Sequence, residues 1–297
     1  MSDPTTRPPA TPATSATAAF ADPTAHVPLD CSAFDPEVDR LAVRRDGDVL
    51  VVELADPDRR NMMGLAMTAA WARLMPAIAA DTGVRAVLLT GRGSAFTSGG
   101  DTSWIGADSH EPVAVLRTRM LSYYRTWLLI RDLPVPTIAA MNGPAIGAGA
   151  ALALACDLRW AAESASLSVP FLQLGLHPGM LSTFLLTEVA GVAVARDLLF
   201  TGRRIRSSEM RELGMVSRVI GDVELIAESL EGAHQVAAAA PTAMRLTKAA
   251  LRDGGPRDWR SAMEWEGLAQ AVTLASEDLT EGLDALREKR APRFTGR

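Results

Sequence analysis

The sequence is poor in the residues that build disulfide frameworks and metal sites. Its 297 residues contain two cysteines and four histidines. Cys31 and Cys156 are too few for a disulfide framework, and none of these residues shows metal-ligand spacing or an H-E-x-x-H motif. We therefore expect no bound metal. Cys156 lies in an apolar run, so we expect it to be a buried thiol.

Two further absences exclude whole classes of function. No apolar run reaches about 18 residues without a charge, so a membrane-spanning helix is not expected. The formal net charge of −5 argues against broad nucleic-acid binding. A phosphate group would have to be bound by a local cluster of arginine or lysine.

Composition divides the chain into three parts. Residues 1–35 are rich in Pro, Ala and Thr, and they have neither an apolar period nor the pattern of a secretory signal. We expect a disordered extension there, with order beginning near Val38, and a cytoplasmic location by default. Residues 36–238 alternate strand-like and helical segments, which predicts an α/β core. Residues 239–297 are predicted to form a helical subdomain.

Periodicity predicts several elements of the core. A hairpin is expected around the Asp46-Gly47 turn, and Asn61 is a potential cap for the helix that follows it. Two stripes of large side chains at helical spacing predict two amphipathic helices. The stripes consist of Met67, Trp71, Leu74 and Ile78 in the first helix, and of Leu116, Met120, Tyr123 and Trp127 in the second.

Two glycine-rich segments each follow a strand-like run. Residues 84–90 lead into G-R-G-S-A-F-T-S-G-G-D-T at 91–102, and residues 136–141 lead into N-G-P-A-I-G-A-G-A at 142–150. Bare N–H groups at a helix start favour an anion or a developing oxyanion. Taken alone, either segment is equally typical of a tight turn with close helix packing. If the two strands are neighbours, the loops can face one site.

Several ordered motifs together resemble the crotonase (enoyl-CoA hydratase/isomerase) family. F-T-S-G-G-D at 96–101 and N-G-P-A-I-G-A-G-A-A-L-A-L-A-C-D at 142–157 resemble its two signature segments. D-P-D-R-R-N at 56–61, L-G-L-H-P-G at 174–179 and E-G-L-D-A-L-R-E-K-R-A-P-R-F-T-G at 281–296 extend the likeness over about residues 38–297. The resemblance implies a spiral of ββα units with a C-terminal helical trimerisation subdomain, in a homotrimer or hexamer.

The same resemblance implies an acyl-CoA thioester as the ligand. Coenzyme A would be part of the substrate, and no separate cofactor is expected. The thioester oxygen would accept hydrogen bonds from the N–H groups of Gly100 and Ala148, the oxyanion hole. Asp101 is expected to hold its own loop. The residues implied to lie near coenzyme A are Arg59, Arg60, Phe96, Ser98, Lys289 and Phe294, although the two arginines also fit a solvated turn.

The customary acids and bases of the family are missing. The two hydratase glutamates would fall at Ala151 and Phe171, and the single glutamate of the double-bond isomerases also falls at Phe171. The aspartate of dienoyl isomerases and dehalogenases would fall at Gly179. His177 has a suitable pKa for proton transfer, but a histidine in G-L-H-P-G also fits a turn in which it bonds to backbone. Glu188 is a weaker candidate.

The pocket that remains is predicted to be apolar, although a thioether at helical spacing often fills a core gap instead. Its candidate residues are Met62, Met63, Trp104, Met120, Ala151, Phe171, Met180 and Leu181. An intact oxyanion hole without the hydratase acids favours decarboxylation, hydrolysis or isomerisation of an acyl-CoA over hydration. The alternative is an acyl-CoA-binding carrier or regulatory protein without turnover.

Overall fold

Two β-sheets form the centre of the protein, in a computed structural model that describes residues 28–103, 110–252 and 258–297. The larger sheet has the order β1-β2-β3-β4-β6-β9 and the smaller one β5-β7-β8. The strands are β1 (Leu41–Asp46), β2 (Val49–Leu54), β3 (Ala86–Gly91), β4 (Thr137–Met141), β5 (Pro144–Ile146), β6 (Leu158–Ala162), β7 (Ser166–Ser168), β8 (Ile205–Arg206) and β9 (Arg218–Ile220).

Helices cover the sheets and form the end of the chain. They are α1 (Pro36–Asp39), α2 (Leu65–Ala80), α3 (Val113–Leu128), α4 (Ala148–Ala155), α5 (Ser182–Thr201), α6 (Ser207–Glu212), α7 (Leu225–Ala237), α8 (Pro241–Leu251), α9 (Trp259–Leu274) and α10 (Glu277–Glu288). Four short 3-10 turns complete the described elements, at Cys31–Ala33, Pro57–Arg59, Leu129–Asp132 and Leu172–Leu174.

The expected spiral of ββα units is confirmed. β1 and β2 form the antiparallel hairpin, and β2, β3, β4, β6 and β9 then run parallel. The units β4-β5-α4 and β6-β7-α5 each place one strand in each sheet before their helix. Sequence reasoning missed β5, β7 and β8, because strands of two or three residues are too short for an alternating pattern.

The two predicted helical stripes meet in the core. Every member of the first stripe, on α2, is buried, and so are Tyr123 and Trp127 of α3. The rings of Trp71 and Trp127 lie 4.7 Å apart between centroids. The indole N–H of Trp127 donates to Thr68 Oγ1 at 3.0 Å. These contacts fix α3 against α2 beside the first glycine-rich loop.

The predicted N-terminal extension requires a correction at its boundary. Residues 1–27 lie outside the described residues, but the chain already contacts the core at Leu29 and Phe34, ahead of the expected start near Val38. The N–H of Leu29 donates to the Asp81 carboxylate at 2.7 Å, and Phe34 is buried. Burial of an aromatic ring favours order even in a segment of extension-like composition.

The C-terminal region is helical, as expected, and consists of α8, α9 and α10. The tail beyond α10 folds back on the sheet, because Arg85 Nη2 donates to Phe294 O at 2.7 Å. Helix α9 has no buried residue within the protomer. Within the described ranges, no helix is both long and apolar enough to cross a membrane.

Candidate active site

The two glycine-rich loops lie side by side at the carboxyl ends of neighbouring strands. β3 and β4 pair in parallel, so the loops that follow them leave the same edge of the sheet. The N–H groups of Phe96 and Thr97 donate to Pro144 O at 3.1 and 3.2 Å, and Ile146 N–H donates to Thr97 O at 3.0 Å. The adjacency expected from the sequence is therefore confirmed.

Two glycines make this close approach possible. A Cβ atom on Gly99 would lie 2.4 Å from Ile146 O and 3.1 Å from Ala148 N. Gly147 has φ 56° and ψ −116°, a conformation that other residues strongly disfavour. The bare backbone of Gly99 therefore touches the turn from which α4 starts.

The N–H groups of Gly100 and Ala148 are both available to a ligand. Ala148 is the first residue of α4, so its N–H has no partner within the helix. Among the described residues, neither N–H donates to another group of the protein. An N–H group without a partner in the protein can donate to a ligand oxygen on which negative charge develops.

Asn61 fastens the first loop, a role that sequence reasoning missed. The predicted helix cap is wrong, because α2 begins after Gly64. Asn61 is fully buried, and its Nδ2 donates to the carbonyl oxygens of Arg92, Ala95 and Phe96 at 2.8–3.2 Å. Its Oδ1 accepts from Asp56 N–H at 2.9 Å. Because these carbonyl groups lie far from Asn61 in the sequence, no local pattern predicts the contacts.

Asp101 holds its own loop, as expected. Its Oδ1 accepts from the N–H of Ser103 at 3.0 Å and from the Ser103 hydroxyl at 2.5 Å. Its Oδ2 accepts from Arg59 Nη2 at 3.3 Å. Both carboxylate oxygens therefore bond within the protein, one to Ser103 of the same loop and the other to Arg59.

Arg59 and Arg60, which we call the arginine turn, lie beside the first loop. Arg59 and Arg60 are exposed. Ser98 joins this turn directly, because its N–H donates to Arg60 O at 2.9 Å and its hydroxyl donates to Arg59 O at 3.3 Å. Phe96 is different: its ring is completely buried in the core, so only its backbone can face a ligand. Arg59, Arg60 and Ser98 form one polar edge of the site.

Apolar residues occupy the two positions where the hydratase carboxylates of the family would fall, Ala151 and Phe171. Ala151 is fully buried in α4, and Phe171 is half-buried. The tip of the Phe171 ring would lie 3.8 Å from a Cβ atom on Gly147. Met180 is buried at the start of a turn in which both Met180 and Leu181 have positive φ. We call Ala151, Phe171 and Met180 the apolar wall.

The other predicted pocket residues have mixed positions. Met63 is buried, and its N–H donates to Gly99 O at 2.8 Å, which joins α2 to the first loop. Met62 and Met120 are half-buried, and Leu181 is exposed. Trp104 lies outside the described residues.

The two candidate acid–base side chains have other partners. His177 is exposed, and its Nδ1 lies 2.9 Å from Pro178 O, which fits the alternative of a histidine bonded to backbone. Glu188 forms a two-pronged ion pair with Arg131, at 3.0 and 3.3 Å. This pair lines a cavity of about 540 Å³ near Lys248 and Cys156, at a distance in the fold from the glycine-rich loops.

The C-terminal coenzyme A candidates are not next to the loops of their own protomer. Phe294 is bonded to Arg85, which precedes β3, whereas the first glycine-rich loop follows β3. A six-residue strand of roughly 20 Å separates the two ends. Lys289 is exposed at the end of α10. Within one protomer, Lys289 and Phe294 therefore belong to a different region from Gly100 and Ala148.

Comparisons with known proteins show what the chain is similar to. The family model described as enoyl-CoA hydratase/isomerase matches residues 44–297. A Thermus thermophilus protein named as an enoyl-CoA hydratase is 38% identical over 248 residues, which cover 84% of this chain and 98% of that protein. The 1,2-epoxyphenylacetyl-CoA isomerase of Escherichia coli is 32% identical over 250 residues, 84% of this chain and 95% of that protein.

A solved structure gives the same result in three dimensions. The enoyl-CoA hydratase of Bacillus anthracis is similar to this chain with a TM-score of 0.82 and 33% identity, over 87% of this chain and 100% of that one. Sequence and structure therefore agree over nearly the whole described chain, and the protein belongs to the crotonase (enoyl-CoA hydratase/isomerase) family.

Proposed function

We propose that the protein binds an acyl-CoA thioester and stabilises its enolate or oxyanion with the N–H groups of Gly100 and Ala148. The observation that supports this most strongly is the pair of available N–H groups on two touching loops. Each preorganised donor of this kind contributes roughly 2.7–4 kcal/mol where charge develops. Helix α4 adds the favourable end of its dipole at Ala148.

The polar edge is the proposed site for coenzyme A. Arg59 and Arg60 would bind phosphate, and Ser98 with the backbone beside Phe96 would lie near the adenine. The exposure of both arginines supports this assignment, because a guanidinium group can meet phosphate there without disturbing the core. Arg59 would exchange its contact with Asp101 for the ligand. Lys289 and Phe294 would contribute only from a neighbouring subunit.

The proposed chemistry is decarboxylation, hydrolysis or isomerisation in preference to hydration. Addition of water across a double bond needs a paired acid and base, and the apolar wall has none at Ala151 or Phe171. Loss of carbon dioxide needs mainly a stabilised enolate, and an apolar wall disfavours the charged carboxylate of the substrate. The relatives carry both hydratase and isomerase names, so family membership does not fix the reaction.

Calorimetry with butyryl-CoA, followed by product analysis with a panel of acyl-CoAs, tests this proposal. We expect saturable binding, and conversion of at least one 2-carboxyacyl-CoA, acyl-CoA or 3-enoyl-CoA. The double variant Arg59→Ala with Arg60→Ala should weaken binding. Its matched control is Arg44→Ala, at an exposed arginine on β1, which should leave binding unchanged. No binding of any acyl-CoA would overturn the proposal.

The second candidate function is an acyl-CoA carrier or regulatory protein without turnover. The observation that favours it is the complete burial of Ala151 beside the half-buried Phe171, which together leave an apolar surface at both family carboxylate positions. The same panel distinguishes the two candidates. Binding of several acyl-CoAs with no product from any of them would support the carrier, and one converted substrate would exclude it.

We further propose that the protein assembles as a homotrimer or hexamer through its C-terminal helices. Large apolar side chains are exposed on this region of the protomer, and contiguous exposed apolar surface marks association sites. The most exposed are Leu251, Trp259, Met263, Leu268, Leu274 and Leu286, each with 55–76% of its surface accessible. Light scattering after size exclusion tests this, and a monomer at micromolar concentration would contradict it.

A further inference from the structure

The hydroxyl group of Tyr124 lies against Gly179, the residue that precedes Met180 of the apolar wall. A Cβ atom on Gly179 would be 2.4 Å from the Tyr124 oxygen, so any larger residue at position 179 would displace the ring. The next two residues, Met180 and Leu181, have φ values of 53° and 62°. Consecutive positive φ values at non-glycine residues are uncommon and concentrate at functional sites.

A short series of contacts connects Tyr124 to the glycine-rich loops. The Tyr124 ring lies 6.3 Å from that of Tyr123, between centroids. Tyr123 donates to Met63 O at 3.0 Å, and Met63 N–H donates to Gly99 O at 2.8 Å. Helix α3, which carries both tyrosines, also packs against α4, whose first residue is Ala148. Tyr124 thus contacts the Gly179–Met180 turn, and its helix packs against α4, the helix that starts at the second loop.

Tyr124 is a neutral phenol at physiological pH. Partial burial raises its pKa above the ordinary value, and the Met180 backbone amide offsets this only in part. A neutral phenol donates a proton and is a poor base. Two carboxylates that could compete for this role have structural partners: Asp101 holds Ser103 and Arg59, and Glu188, away from the loops, pairs with Arg131. Of these three side chains, the Tyr124 phenol is the one without an ion-pair partner.

We propose that Tyr124 is a catalytic residue that protonates the α-carbon of an acyl-CoA enolate, and that the substrate is a 2-carboxyacyl-CoA. This inference rests on the proposed function. The bond between the α-carbon and the carboxylate breaks, carbon dioxide leaves, and the electron pair forms the enolate held by Gly100 and Ala148. The O–H bond of Tyr124 then breaks as a C–H bond forms at the α-carbon, and water returns a proton to the phenolate.

Fluorine NMR of the intact chain provides the first test. The sequence has only two tyrosines, so 3-fluorotyrosine labelling gives two signals, which Tyr123→Phe and Tyr124→Phe assign. Butyryl-CoA should shift the Tyr124 signal more than the Tyr123 signal, because only Tyr124 meets the acyl group. Binding that leaves the Tyr124 signal unchanged would overturn the role of Tyr124 and leave the proposed function standing. Absence of binding would overturn both.

Turnover of methylmalonyl-CoA in deuterated water provides the second test. The native chain should form propionyl-CoA with one deuterium at the α-carbon. Tyr124→Phe should lower kcat roughly 100-fold, as expected for loss of a general acid, with KM changed less than about threefold. Gly179→Ala keeps the hydroxyl but displaces it, and it should show the same selective loss in kcat.

The outcomes of this second test separate the possible failures. Butyryl-CoA binding with no turnover of malonyl-CoA or methylmalonyl-CoA would overturn the substrate class. A Tyr124→Phe variant with native kcat would overturn the catalytic role. A variant that loses kcat and butyryl-CoA affinity to the same degree would also overturn it, because that is the behaviour of a tyrosine that only packs.

Discussion

The glycine-rich loops and the apolar wall differ sharply in the interactions that hold them. The loops are fixed by a dense set of backbone hydrogen bonds and by the buried amide of Asn61. The wall is held by packing of Ala151, Phe171 and Met180, and it has no carboxylate at the family positions. The contrast indicates that binding and polarisation of a thioester can be retained while the acid–base chemistry of hydration is absent.

The largest expected effect comes from adding one methyl group between the two loops. Gly99→Ala places a Cβ atom 2.4 Å from Ile146 O at a residue with φ 87°. We expect the free energy of unfolding to fall by roughly 3 kcal/mol or more, from strain and overpacking together. Urea unfolding measures this loss, and calorimetry with butyryl-CoA should show that binding is lost.

Gly175→Ala is the matched control for that variant. Gly175 also has a positive φ of 72°, but an added Cβ atom would meet nothing within 4 Å. We expect a loss of about 1 kcal/mol from the backbone conformation alone, with butyryl-CoA affinity unchanged. Equal effects of the two alanine substitutions would show that the contact between the loops is unimportant.

The next largest expected effect is a loss of stability on removal of the amide side chains that hold the first loop. It compares the fully buried Asn61 with the partly buried Asn142. Asn61→Ala removes the side-chain donor from Arg92 O, Ala95 O and Phe96 O, of which Ala95 O keeps Asn142, and removes the acceptor of the Asp56 N–H. It should lower the free energy of unfolding by about 2–3 kcal/mol. Asn142, which is less buried, bonds the same loop through Gly93 O, Ala95 O and Gly91 N–H. Asn142→Ala should lose less, because water can replace part of its bonds. A reversed order in urea unfolding would contradict this account.

The smallest expected effect is an increase of about tenfold in the rate of α-proton exchange. It tests whether adding a base to the apolar wall is enough to restore proton transfer. Phe171→Glu places a carboxylate beside the second loop, where it can remove an α-proton from a bound acyl-CoA. We expect deuterium exchange into the α-carbon of butyryl-CoA to become at least about tenfold faster than in the native chain. Phe171→Gln has the same size without the base and should stay at the native rate. Equal rates in the two variants would indicate that the loops do not stabilise an enolate.

Local sequence predicted the loops better than it predicted their surroundings. The two strand–loop–helix patterns were enough to expect that the two loops face one site, since parallel neighbours end at one edge. The choice of Gly100 and Ala148 came from the resemblance to the family. The role of Asp101 also followed, because its bonds to Ser103 reach only two residues along its own loop. Asn61 and Tyr124 could not be found in this way. Their partners lie 31–35 and 55–56 positions away, and no periodicity reports a contact of that kind.

The central claim is tested most directly by the native chain with 2-butenoyl-CoA. Calorimetry should first establish that this thioester binds, because the proposed donors Gly100 and Ala148 are both present. The absorbance of the conjugated enoyl thioester should then decline no faster than in buffer, because neither Ala151 nor Phe171 can transfer a proton. Rapid, enzyme-dependent loss of that absorbance, with 3-hydroxybutyryl-CoA as the product, would contradict the account.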